Sequence, residues 1–125
     1  MKIRIRGNTV RLRLSKSEVT DFGERGYIEE KTSFGNAALT YALQTTTHCD
    51  MTADFKDGKI TIYLPEEKAK DWVVSNKVGY DANMDLGDGN ELYLLLEKDF
   101  QCLDNSIEDQ SDNYENPLAA QFHKK

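Results

Sequence analysis

The residues whose types and spacing could do chemistry are the arginines near the start of the chain. Lys2, Arg4, Arg6, Arg11, Arg13 and Lys16 give residues 1–16 a charge of +6, with no acid among them. With Ile3, Ile5, Val10, Leu12 and Leu14 turned inward, Lys2, Arg4, Arg6, Arg11 and Arg13 share the outer face of one hairpin, because strand side chains alternate. Neighbouring guanidinium groups on such a face can hold an oxyanion bidentately. The opposite charge lies at the other end. Residues 97–117 carry Glu97, Asp99, Asp104, Glu108, Asp109, Asp112 and Glu115 against Lys98 alone, a balance of −6. The expectation is that Asp104, Glu108, Asp109, Asp112 and Tyr114 lie across Arg4, Arg6, Arg11 and Arg13. Surface ion pairs contribute only about 0–1 kcal/mol each, so apolar anchors such as Phe100, Leu103, Ile107, Tyr114 and Pro117 must supply much of the adhesion. That predicts order to about residue 117. A second partner is nucleic acid or another polyanion: the overall charge of −6 repels it at long range, whereas the local basic face attracts it.

Other constellations offer less. His48, Cys49, Asp50 and Cys102 are metal-ligand types, but strand neighbours point to opposite faces and no CxxC or HxxxH spacing occurs, so no metal site is expected. Asp81, Asn83 and Asp85 resemble a calcium loop, yet its sixth and twelfth positions are Leu86 and Leu92 where glycine and glutamate are required, so the segment reads as a hairpin. Neither His48 nor His123 is placed to activate Cys102 as a nucleophile, and neither a Gly-x-Ser-x-Gly elbow nor a phosphate loop is present. No catalytic residue and no cofactor is assigned; the chain reads as a non-catalytic binding or structural module.

These residues must be positioned by elements that the periodicity lays out. Residues 2–6 and 10–14 alternate about a Gly7-Asn8 turn and form a hairpin. Ser15 and Glu18 make a capping box, Val19 and Phe22 share a helical face, and Gly23 or Gly26 ends the helix. Residues 27–33 read as a third strand, Phe34-Gly35-Asn36 as a turn, and Leu39, Tyr41 and Leu43 alternate along a fourth strand.

Fifty residues on, the same grammar returns. Ile5 corresponds to Phe55, Gly7-Asn8 to Asp57-Gly58, Val10, Leu12 and Leu14 to Ile60, Ile62 and Leu64, and Ser15 to Pro65. Val19 and Phe22 correspond to Ala69 and Trp72, Ile28 to Val78 and Phe34 to Met84. After three extra residues in the 87–90 turn, Leu39, Tyr41 and Leu43 correspond to Leu92, Leu94 and Leu96. Matches fall on inward positions while outward ones diverge, Arg11 to Thr61 and Arg13 to Tyr63, as two half-buried sheets under common packing would allow. The expected fold is α+β, mostly β: a duplicated ββαββ repeat forming one pseudo-symmetric β-barrel or sandwich with two short helices. Repeats at 1–46 and 51–98 make one domain at 1–99, followed by an irregular acidic tail at 100–125.

At 125 residues the chain can bury one core without staples, and Cys49 and Cys102 are too few for a disulfide framework. The start lacks an apolar h-region and no apolar run approaches a membrane span, so the expected location is the cytoplasm, as monomer or homodimer.

The stretches Arg6-Gly7-Asn8-Thr9-Val10-Arg11-Leu12 and Asp57-Gly58-Lys59-Ile60-Thr61-Ile62-Tyr63-Leu64-Pro65, each leading into a short helix, resemble AbrB- or MazE-type swapped-hairpin units. That resemblance implies ββαββ units paired into a barrel, and arginines that reach DNA. The whole chain more closely resembles a small bacterial family known only as a domain of unknown function. Met1-Lys2-Ile3-Arg4-Ile5-Arg6-Gly7-Asn8, Leu14-Ser15-Lys16-Ser17-Glu18-Val19 and Glu97-Lys98-Asp99-Phe100-Gln101-Cys102-Leu103-Asp104 carry it, with Glu108-Asp109-Gln110-Ser111-Asp112-Asn113-Tyr114-Glu115-Asn116-Pro117. This second resemblance implies no activity.

Overall fold

The structure, a computed structural model, describes residues 1–100. Ten elements follow in order: β1 (Lys2–Arg6), β2 (Thr9–Leu14), α1 (Lys16–Arg25), β3 (Tyr27–Ser33), β4 (Ala38–Thr46), β5 (Thr52–Lys56), β6 (Lys59–Pro65), α2 (Glu66–Val74), β7 (Gly79–Gly87) and β8 (Asn90–Lys98). The fold is mostly-β α+β. The turns match their residues. Asp57 and Gly58 both take positive φ, as a two-residue hairpin that keeps the strand twist demands, and Asp88-Gly89 does the same between β7 and β8. The 81–85 segment is accordingly a strand of a hairpin.

The hairpins combine into two four-stranded sheets. One has the order β1-β2-β8-β7 and the other β3-β4-β6-β5. Each has a parallel central pair, β2 with β8 and β4 with β6, flanked by antiparallel edges. No closed barrel forms among the described residues. Where β5 approaches β7, the Ala53 amide meets the Met84 thioether at 3.3 Å, a weak acceptor that cannot continue a ladder.

The inward faces share one core, which includes Val10, Leu12, Leu14, Leu43, Ile62, Leu64, Leu94 and Leu96. The helices close it. Phe22 and Trp72 are fully buried and meet edge to face at 6.3 Å between centroids. The capping box is present at α1, with the Ser15 amide donating to Glu18 Oε1 at 2.8 Å. Gly26, not Gly23, ends that helix, in the left-handed conformation. Gly23 stays inside it because a Cβ there would lie 2.8 Å from Val73 Cγ1 of α2.

The register departs from two of the expected correspondences. Ile28 lies opposite Leu43, but the residue opposite Leu96 is Tyr80, not Val78. Likewise Met84 lies opposite Leu92, whereas the residue opposite Leu39 is Thr32, not Phe34. The shift arises in the connection after α2, which runs from residue 75 to 78, whereas Gly26 alone joins α1 to β3. The longer connection supplies the Val78 carbonyl, which accepts the Trp72 indole N–H at 3.0 Å. Phe22 has no such donor to satisfy.

Candidate anion-binding face

In the first sheet Lys2 lies opposite Arg13, Arg4 opposite Arg11 and Arg6 opposite Thr9. Alternation turns Ile3, Val10, Leu12 and Leu14 to the core and leaves these cations outside, but Ile5, expected inward with them, lies near the turn of the edge strand and is 56% exposed. Directly opposed like charges destabilise a strand pair. Here the neighbouring strand relieves part of the repulsion. β8 runs parallel to β2 with Arg11 opposite Leu95 and Arg13 opposite Glu97. The Glu97 carboxylate accepts from Arg11 Nε at 2.9 Å and lies 2.7 Å from Arg11 Nη2, a two-pronged contact. Arg13 Nε stands 3.9 Å from the same oxygen. Just beyond β8, the Asp99 side chain is only 7% exposed and lies 3.0 Å from Lys2 Nζ and 3.9 Å from Arg13 Nη1. Its amide donates to the Leu14 carbonyl at 2.8 Å, so the ladder itself carries the carboxylate to the basic face.

The sequence-predicted cations therefore divide. Arg11 and Arg13, with Lys2, are gathered around Glu97 and Asp99. Arg4 and Arg6 share the face but have no acidic partner among the described residues. Five cations against two carboxylates leave this face at +3. Two shallow depressions mark its surface. One, of about 290 Å³, is lined by Lys2, Ile3, Arg4, Arg11 and Arg13. The other, of about 220 Å³, is lined by Arg4, Arg6, Thr9, Arg11 and Leu95. Across the same sheet the character changes: Tyr93 donates to Asp81 at 2.8 Å, and that hydrogen bond, with some burial, raises the phenol above its ordinary value of 10.0.

Asp104, Glu108, Asp109, Asp112 and Tyr114 lie outside the described residues. Glu97 and Asp99 belong to the acidic run but are not among the site residues expected from sequence alone. The missing information was the parallel pairing of β2 with β8, which alternation cannot reveal. At the β8 end Lys98 points the opposite way and is buried; its ammonium donates to the Ser75 carbonyl at the end of α2 at 2.7 Å and stands over the Trp72 ring. Burial lowers its pKa, with Asp71 acting in the opposite sense.

The outer face of the second sheet differs. Tyr63 donates to Asp54 at 3.1 Å, and Lys59 lies 2.5 Å from the Tyr27 hydroxyl and 3.7 Å from Glu29. Acids and phenols are interleaved with its lysines, so the arginine-rich character belongs to the first sheet. Cys49 is exposed in the β4–β5 connection, and no group of three or more metal-ligating side chains occurs among the described residues.

The fold is thus a two-sheet α+β architecture presenting a basic hairpin beside the carboxylates of Glu97 and Asp99. The chain belongs to a family of unknown function (DUF7009), whose model spans residues 1–118. No curated protein and no solved structure matches it. No helix among the described residues is long and apolar enough to cross a membrane.

Proposed function

We propose that the protein is a non-catalytic binding or structural module of the bacterial cytoplasm. In this reading its arginine face, Arg4, Arg6, Arg11 and Arg13, is engaged by the chain's own acidic end. The observation that carries it is the pairing of Lys2, Arg11 and Arg13 with Glu97 and Asp99, the first two acids of the run. Against the remaining charge of +3 the sequence carries five further acids, Asp104, Glu108, Asp109, Asp112 and Glu115. The family model continues past Phe100 through most of that segment, so it recurs with the domain. Docking within one chain suffers little translational entropy loss, so weak ion pairs aided by Tyr114 suffice.

The test is truncation after Phe100. The shortened protein should melt lower and bind a polyanion such as heparin more tightly. The Arg11→Glu, Arg13→Glu variant should expose the acidic end to proteolysis. Unchanged melting, protease sensitivity and polyanion binding on truncation would sink this reading.

We further infer that the domain at 1–99 arose by duplication of a ββαββ unit. Supporting this, the parallel pair Val10–Leu94 has its counterpart in Ile60–Tyr41, and Leu12–Leu96 in Ile62–Leu43. Each sheet also combines one hairpin from each half, an exchange that favours AbrB-like descent and, with it, nucleic-acid binding as the second reading. A gel shift with duplex DNA over a range of salt separates the two: several phosphate contacts give a steep fall of affinity with salt.

A further inference from the structure

The two ends of the arginine hairpin differ, and the difference points to a ligand class. Lys2 and Arg13 form one end, where Asp99 and Glu97 reach them. Arg6 and Thr9 form the other, four rungs away, or about 13 Å along the strands. No carboxylate among the described residues pairs with Arg4 or Arg6. Resting on the reading of this face as anion-binding, we infer that the depression between Arg4, Arg6, Thr9 and Arg11 is a site for the phosphate-monoester group of a small molecule, which displaces the chain's own acidic end from Arg4 and Arg6 when it binds.

The geometry fits that group in several respects. The space, about 220 Å³, accommodates a phosphoryl group with its ordered water. Arg4 and Arg11 lie opposite each other across the hairpin, Arg6 follows two residues along on the same face, and all three line the one depression. Glu97 fixes Arg11 through Nε and Nη2, leaving its Nη1 donors available and the fork pre-oriented. Thr9 adds a hydroxyl that can donate to a phosphoryl oxygen, and Leu95 supplies an apolar wall that excludes water from one side. A monoester carries a charge of about −1.5 to −2 at neutral pH and three acceptor oxygens, matching three guanidinium groups.

The surroundings favour a small ligand over a strand of nucleic acid. Beyond β2 the same face turns to Glu97, Asp81 and Tyr93, so no basic track continues across the sheet. A polyanion extending past the hairpin would meet carboxylates.

The experiment is titration of the full chain with inorganic phosphate, phenyl phosphate and dimethyl phosphate, followed by arginine Nε resonances and by calorimetry. Phosphate and phenyl phosphate should bind saturably at millimolar concentration or below, moving the resonances of Arg4, Arg6 and Arg11. They should bind about tenfold more tightly than the monoanionic diester. Arg4→Gln with Arg6→Gln should weaken binding about tenfold or more, Thr9→Val should do so severalfold, and Lys56→Gln on the other sheet should leave it unchanged. Circular dichroism of each variant separates lost binding from lost folding. Equal or tighter binding of the diester would overturn the monoester assignment, as would insensitivity to the Arg4, Arg6 pair. Absence of saturable binding to the full chain would remove the site while leaving the truncation test intact. Binding of phosphate together with an inert truncation would uphold the site and reject the docked acidic end.

Discussion

Replacing Gly79 by alanine tests the packing that holds the last hairpin against α2. A Cβ at this position would lie 1.7 Å from the Leu96 carbonyl oxygen, 2.8 Å from its carbon and 2.9 Å from Glu97 Cα. All three atoms are backbone of the partner strand, so no rotamer change relieves the overlap. Reaching even 3.0 Å requires the strands to part by about 1.3 Å. The adjacent Val78 carbonyl accepts from the Lys98 amide at 2.9 Å and from the Trp72 indole at 3.0 Å. Displacement of that size takes both bonds out of range. A lost bond costs about 1 kcal/mol net, and a buried donor left unsatisfied about 1–3 kcal/mol. The expected destabilisation of Gly79→Ala is therefore about 2–4 kcal/mol, a fall in Tm of roughly 10–25 °C. Urea unfolding followed by Trp72 fluorescence measures it. Gly87→Ala is the comparison, because Gly87 has open space around it but a φ of 84°, so its penalty is backbone strain alone, about 1 kcal/mol. If Gly79→Ala costs no more than Gly87→Ala, the inferred closeness of β7 to β8 at this point is wrong.

Trp72→Ala should destabilise by about 3–5 kcal/mol, since the residue is fully buried against Phe22; near-wild-type melting by calorimetry would contradict that placement. Glu97→Gln should change stability by less than about 1 kcal/mol, as befits a half-exposed pair, yet raise affinity for inorganic phosphate in an equilibrium titration by returning positive charge to the face. Unchanged phosphate affinity in that variant would argue against coupling between the two ends of the hairpin. Tyr93 should ionise above 10.0 in an alkaline titration followed by phenolate absorbance, and Asp81→Asn should bring it down towards that value. The raised folded-state pKa gives a stabilising contribution that is complete below 10.0 and is lost as pH rises through the folded value, so stability should decline more steeply across that window in the parent than in Asp81→Asn.

Much of the fold was legible because its cues are local. Alternation placed Val10, Leu12, Leu14, Ile62, Leu64, Leu94 and Leu96 on buried faces, and the Ser15–Glu18 box located the start of α1. Partnership between hairpins was not legible. Alternation says which face a strand buries but not which strand lies beside it, and the β2–β8 pair joins residues more than eighty positions apart. That unseen pairing decides the candidate site. Without it Glu97 is one acid among seven in the run; with it Glu97 is the group that holds Arg11. A count of fifty residues aligns Ile28 with Val78, yet Tyr80 lies opposite Leu96 as Ile28 lies opposite Leu43, since such a count cannot register the longer connection after α2.

The longer connection after α2 has a physical reason. Phe22 and Trp72 meet at the helix contact, but an indole brings an N–H that must be satisfied once buried. The 75–78 connection supplies the Val78 carbonyl for it and simultaneously brings Ser75 over the end of β8, where its carbonyl accepts the Lys98 ammonium. Lys98 points inward as Glu97 and Asp99 point outward, so fixing the lysine beneath α2 also fixes the two carboxylates on the arginine face. In this arrangement the choice of tryptophan in α2 and the partial neutralisation of the basic hairpin are consequences of one register.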